Sequence, residues 1–149
     1  MKIGICTEIA NISKVEKMGF DYLEAGVSKT AAMGEQEFSE AVQEVKDSSL
    51  ECEAFNVLFP GDIRLTGPEV NLKAVREYLD KAFDRIHRLG AKIAVFGSGR
   101  SRKVPEGWKR EDAWKQLIDA AGIVGEVAAE YKLIVVMEPL NRGETNILN

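Results

Sequence analysis

The sequence predicts an α/β protein built as a partial parallel (β/α) barrel, with about five βα units present. Three observations carry this expectation. Short apolar runs alternate in strict order with longer segments of helical period. Strands separated by helices pair in parallel, because each crossover returns the chain to the same end of the sheet. The first strand, finally, is followed by CTEIANIS, which has no glycine cluster of the kind that holds a nucleotide phosphate in an open doubly wound sheet.

In order, the predicted strands are KIGICT, FDYLEAGV, LECEAFNVLF, KIAVFGSG and LIVVMEP. Between them the predicted helices are NISKVEKMG, EFSEAVQEVKDS, a segment from Leu72 to Leu89 and a segment from Trp114 to Ala128. Leu72, Val75, Leu79, Phe83, Ile86 and Leu89 recur at spacings of three and four, which sets them on one helical face, and Gly90 supplies the stop. Trp114, Leu117, Ile118, Ala121, Val124 and Ala128 form a second stripe of this kind. Five strands and four helices result. A complete TIM-type barrel takes about 250 residues, and five units in 149 residues extrapolate to that length. Residues 1–149 are thus expected to be the N-terminal part of a single barrel domain.

Composition narrows the function classes. With 45% hydrophobic and 30% charged residues the chain can bury a sizeable core. No apolar run reaches the roughly 20 residues of a membrane span, and MKIGICTEIA lacks a signal-peptide pattern, so a cytoplasmic protein is expected. Cys6 and Cys52 lie in separate strand-like runs and are expected to be reduced. A net charge of -4 without a basic cluster argues against nucleic acid as a partner and for a small molecule.

The two longest irregular stretches, FPGDIRLTGPEVN and GSGRSRKVPEGWKRED, follow strand C-terminal ends, the catalytic face of a barrel. Glu138 ends the apolar strand LIVVM, where a carboxylate needs a partner. An ion pair with Arg142 and a catalytic or metal-ligand role are both open from position alone. Glu24 holds a similar strand-end position and could line a pocket or pair with a Lys or Arg of a neighbouring strand. Asn56 and Phe59 could offer a hydrogen bond and an apolar wall. Trp108 could act as a lid or cover the barrel rim. Arg100, Arg102 and Lys103 could hold an anionic substrate, although a solvated cationic loop is the expected reading of such a run. His87, the single histidine, sits mid-helix in FDRIHRLG and is expected to be a surface or half-buried helix residue.

The run EPLNRGETN, taken with GFDYLEAGV, FPGDIRLTG and VFGSGRSRKVPEGW, resembles the xylose isomerase-like sugar isomerase and epimerase superfamily. By that resemblance Glu138 is a divalent-metal ligand and an acid/base next to the substrate carbonyl, and Glu144 helps hold substrate hydroxyls. Trp108 is then a lid over the sugar, and Glu24 and Asn56, by their strand-end positions, are candidate substrate contacts. The implied cofactor is manganese, magnesium or cobalt, and the implied substrate a sugar or keto acid. In this superfamily the other metal ligands come from strands six to eight. The 149-residue chain by itself is therefore expected to be inactive, to bind no metal tightly and to self-associate as a homo-oligomer through unpaired sheet edges. Two alternatives remain: a silent truncated barrel acting as an assembly module, and an endonuclease IV-like repair enzyme. A histidine-rich zinc site and basic groove, which the second would require, are missing from the sequence.

Overall fold

A computed structural model describes all of residues 1–149. Five strands, β1 (Gly4–Cys6), β2 (Tyr22–Gly26), β3 (Glu51–Asn56), β4 (Ile93–Phe96) and β5 (Ile134–Met137), form one sheet in the order β1-β2-β3-β4-β5. Every neighbouring pair is parallel. The helices are α1 (Ile12–Lys17), α2 (Val27–Ala32), α3 (Glu35–Asp47), α4 (Leu72–Arg88), α5 (Gly99–Arg102) and α6 (Arg110–Glu130), with a 3₁₀ turn at Ile9–Asn11.

All five predicted strands are present, each trimmed to its hydrogen-bonded centre. The expected count of four helices needs correction, since α2 and α5 are additional. They span six and four residues, too few to establish a period of 3.6. The long helices start and stop as their sequences dictate. Asn71 caps α4 by accepting a hydrogen bond from the Ala74 amide at 3.1 Å, and Gly90 ends it in a left-handed conformation at φ +92°.

Sequential strand order and the alternation of burial together define a section of barrel. Leu23, Ala25, Phe55, Ala94 and Phe96 are buried beneath the helices. In-register pairing places Ile134 opposite Ile93 and Val136 opposite Val95, on the other face. There Ile134 and Val136 remain exposed, at 62% and 41%. A doubly wound sheet would cover both faces. Here the helices cover one, and the face that would point into a barrel lies open.

The core lies between sheet and helices. Phe59 packs edge-on against Phe96 with ring centroids 5.3 Å apart, and Tyr78 lies 5.6 Å from Phe59 on the other side. The Tyr78 hydroxyl donates to the Leu58 carbonyl at 2.7 Å, which satisfies the one polar group of that cluster. This anchors the segment after β3 directly below the C-terminal ends of the strands. No helix is long and apolar enough to cross a membrane.

Candidate active site

Parallel winding delivers the ends of all five strands to one rim. Cys6 ends β1, Glu24 lies near the end of β2, Asn56 ends β3 and Glu138 follows β5. Asn56 joins the first three, because its Nδ2 donates to Cys6 Sγ at 2.7 Å and to Glu24 Oε1 at 2.8 Å. Glu24 forms no ion pair with a Lys or Arg; its partner is this amide. Beside them opens a cavity of about 800 Å³ lined in part by Cys6, Asn11, Gly26, Lys29 and Asn56. Glu8 and Lys29 pair across its wall at 2.6 Å. Hydrogen bonding to Lys29 holds the Glu8 carboxyl below its usual range. Cys52, in contrast, is buried, and desolvation pushes its thiol up to about 12, so it is chemically inert.

Glu138 is exposed and has no ion-pair partner, Arg142 included. Its backbone is held instead. The Glu138 amide donates to the Phe96 carbonyl at 3.3 Å, extending the β4–β5 pairing, and its carbonyl accepts from Arg102 Nη2 at 2.7 Å. Its carboxylate lies over Gly97, where a Cβ would overlap Glu138 Oε2. Glu144 sits in a compact turn. The Asn141 side-chain amide donates to the Glu144 carboxylate, and Asn141 Oδ1 accepts from the Gly143 amide at 2.9 Å. Trp108 is half-buried against the hydrophobic core, with its Nε1 enclosed and without an acceptor. His87 lies on the exposed side of α4 beside the Tyr131 ring, 6.1 Å between centroids.

The cationic run departs from the solvated loop expected of it. Arg102 is 0% exposed. Its guanidinium donates to the carbonyls of Phe96 at 3.4 Å, Glu138 at 2.7 Å and Leu148 at 3.4 Å, while its Nε is buried without an acceptor. Burial pushes this guanidinium below its usual pKa, and the charges of Glu138 and Glu144 oppose that shift. Arg100 and Lys103 remain at the surface, and Arg64 donates to both of their carbonyls at 2.7 Å. Nothing in the local sequence separates Arg102 from Arg100. The glycines of GSG were a usable signal, since glycine outside a phosphate-loop spacing marks a close backbone approach.

No three His, Cys, Asp or Glu side chains converge to hold a metal ion. Glu138 offers a single oxygen ligand of the kind that suits manganese, magnesium or cobalt. One carboxylate is not a coordination set, so these residues alone do not fit a resident cation.

A family profile described as the xylose isomerase-like TIM barrel matches residues 12–149, and the chain belongs to that family. The structure is similar to a 3-keto-D-glucoside 4-epimerase from E. coli, at TM-score 0.75 and 18% identity, over 95% of this chain and 57% of that one. It is also similar to a D-psicose 3-epimerase from Clostridium cellulolyticum H10 solved with D-tagatose, at TM-score 0.79 and 20% identity, over 99% and 55%. A D-allulose 3-epimerase from Methylomonas sp. in complex with D-allulose gives TM-score 0.79 and 19% identity, over 100% and 55%. The chain thus spans little more than half the length of these proteins, and likeness at such identity speaks for the fold. No curated protein sequence matches the chain.

Proposed function

We propose that this chain provides the first five βα units of a sugar epimerase or isomerase in which Glu138 transfers a proton beside the substrate carbonyl. The observation that carries this reading is the state of Glu138: a carboxylate at the C-terminal end of a barrel strand, exposed, unpaired by any cation, and fixed through its backbone. The sugars named with the similar structures fit the same chemistry.

In the proposed reaction the Glu138 carboxylate takes the proton from the carbon next to the carbonyl, and the electron pair moves onto the carbonyl oxygen to give an enediolate. Return of the proton by Glu138 to the former carbonyl carbon isomerises the sugar; inversion of the first carbon would need a second acid on its opposite face, a role to which none of these 149 residues is assigned. Glu138 would be one ligand of a divalent cation, whose Lewis acidity suits this chemistry, but these 149 residues do not supply the remaining ligands. Asn56, Glu24 and Glu144 supply hydrogen-bonding groups for sugar hydroxyls, and Trp108 an apolar surface at the rim. The reduced cysteines fit a cytoplasmic setting.

In a barrel-length form, Glu138→Gln should keep the fold and lower turnover of ketohexoses by about 10³-fold or more, the scale of general acid–base catalysis. Glu144→Gln should mainly raise KM. Equal, modest losses in both variants would make Glu138 a structural residue.

Self-association of the 149-residue chain is part of the same proposal. Its support is the open face with Ile134 and Val136, and two edge strands with unpaired backbone groups. Light scattering over a concentration series should show a dimer or larger species. A compact monomer at high micromolar concentration would contradict it.

A further inference from the structure

The segment GSGRSR after β4 has the glycines of an anion-binding loop but none of the known spacings, and the reaction proposed above gives it no task. Its contacts nevertheless converge on one residue. Gly97 faces the Glu138 carboxylate, with its absent Cβ leaving the space that Oε2 occupies. Arg102, one turn further on, donates to the Glu138 carbonyl at 2.7 Å. The same guanidinium reaches the Phe96 carbonyl, which already accepts the Glu138 amide. Glu138 is therefore held at its carbonyl by Arg102 and at its amide by a carbonyl that Arg102 also engages, while its carboxylate lies in the space that the absent Gly97 side chain leaves open.

Two physical features argue that this arrangement serves position rather than stability. A fully buried cation without a carboxylate partner is costly, and three carbonyl acceptors offset that cost only in part. Gly97 has no positive φ that would demand glycine, so the backbone conformation alone does not require this residue. What glycine allows at 97 is the Glu138 carboxylate in its observed place.

We propose that Gly97 and Arg102 are positioning residues that form a seat for Glu138 and aim its carboxylate into the open face of the sheet. This rests on the reading of Glu138 as the proton-transferring group. The seat itself can be tested without turnover.

The test uses the 149-residue chain labelled for NMR. The wild-type chain should show a nuclear Overhauser contact between Gly97 Hα and the Glu138 side chain, with Glu138 in one χ1 rotamer. Gly97→Ala should abolish that rotamer while changing thermal stability little, because the added methyl meets the far end of a flexible side chain. Arg102→Met should average the Glu138 rotamers, and Arg102→Lys should restore them incompletely, because an ammonium lacks the planar fork. If Gly97→Ala leaves the Glu138 rotamer unchanged, the seat is overturned. Loss of stability in Arg102→Met with the Gly97–Glu138 contact intact would assign Arg102 a purely structural role and overturn it equally. Should Arg102→Met fail to fold, Gly97→Ala still decides. Failure of the functional reading looks different: the seat persists by NMR while Glu138→Gln leaves turnover of the barrel-length protein untouched.

Discussion

Two buried arginines stand about equally deep and do opposite things. Arg85, on α4, is 3% exposed and donates to the carbonyls of Thr30, Ala31 and Met33 at 3.1, 3.2 and 2.5 Å and to the Glu35 carboxylate. It closes the C-terminal end of α2, where the helix dipole favours a cation, and its charge is matched by an anion. Arg102, at the strand ends, has carbonyl partners, an unpartnered Nε and no carboxylate within ion-pair range. A charge neutralised where it lies is an economical structural tie. One left unneutralised beneath a rim of carboxylates is a feature the fold alone does not need, and such features gather at functional sites.

This contrast can be broken by substitution. Arg85→Met leaves several carbonyls at the end of α2 without donors and should destabilise the chain by about 3 kcal/mol. Arg102→Met removes a cation that was poorly compensated, so its cost should be about 1 kcal/mol, with the larger consequence at Glu138. Urea unfolding of the two variants reads the difference. Equal losses would show that both arginines are structural ties of one kind.

A smaller effect is expected at the opposite end of the sheet. There Lys2 and Lys92 bracket Glu51 and Glu53 at 2.9–3.2 Å. Hydrogen bonds from Lys2, and then Lys92, lower the Glu51 carboxyl from 4.5 to about 2. Because the folded value is the depressed one, the stabilisation is present above pH 4.5 and is lost as pH falls toward 2. Glu51→Gln should therefore flatten the acid limb of stability between these values. Its solvent-exposed side chain makes the change slight. An unaltered acid limb would mean that the pairs contribute nothing in solution.

The sequence made the sheet legible because each strand is a short apolar run between helices of clear period. It also singled out Glu138 as a carboxylate closing the apolar run LIVVM, although the structure leaves it exposed and without the charge partner expected of it. Other features depended on information that local sequence does not hold. The short helices α2 and α5 offer too few residues for periodicity. Arg102 stands in a run of cations, and its burial arises from the return of residues 138–148 across the β4 loop, a contact set by tertiary packing. Asn56 was legible as a polar strand end. That it joins Cys6 and Glu24 follows from the β1–β2–β3 register, which places Cys6 beside Glu24 and Gly26 beside Asn56. Gly97 carried the clearest unused signal: a glycine at a strand end with no phosphate-loop spacing implies that another part of the chain comes close.

The central claim, that Glu138 moves a proton beside a carbonyl, is tested most directly by turnover in deuterated water. A barrel-length form incubated with a ketohexose should place deuterium on the carbon next to the carbonyl, as mass spectrometry or proton NMR of the recovered sugar would show. Glu138→Gln, folded as the parent is, should reduce that incorporation by about 10³-fold. Deuterium uptake at the parent rate in Glu138→Gln would contradict the account and place the proton transfer on another residue.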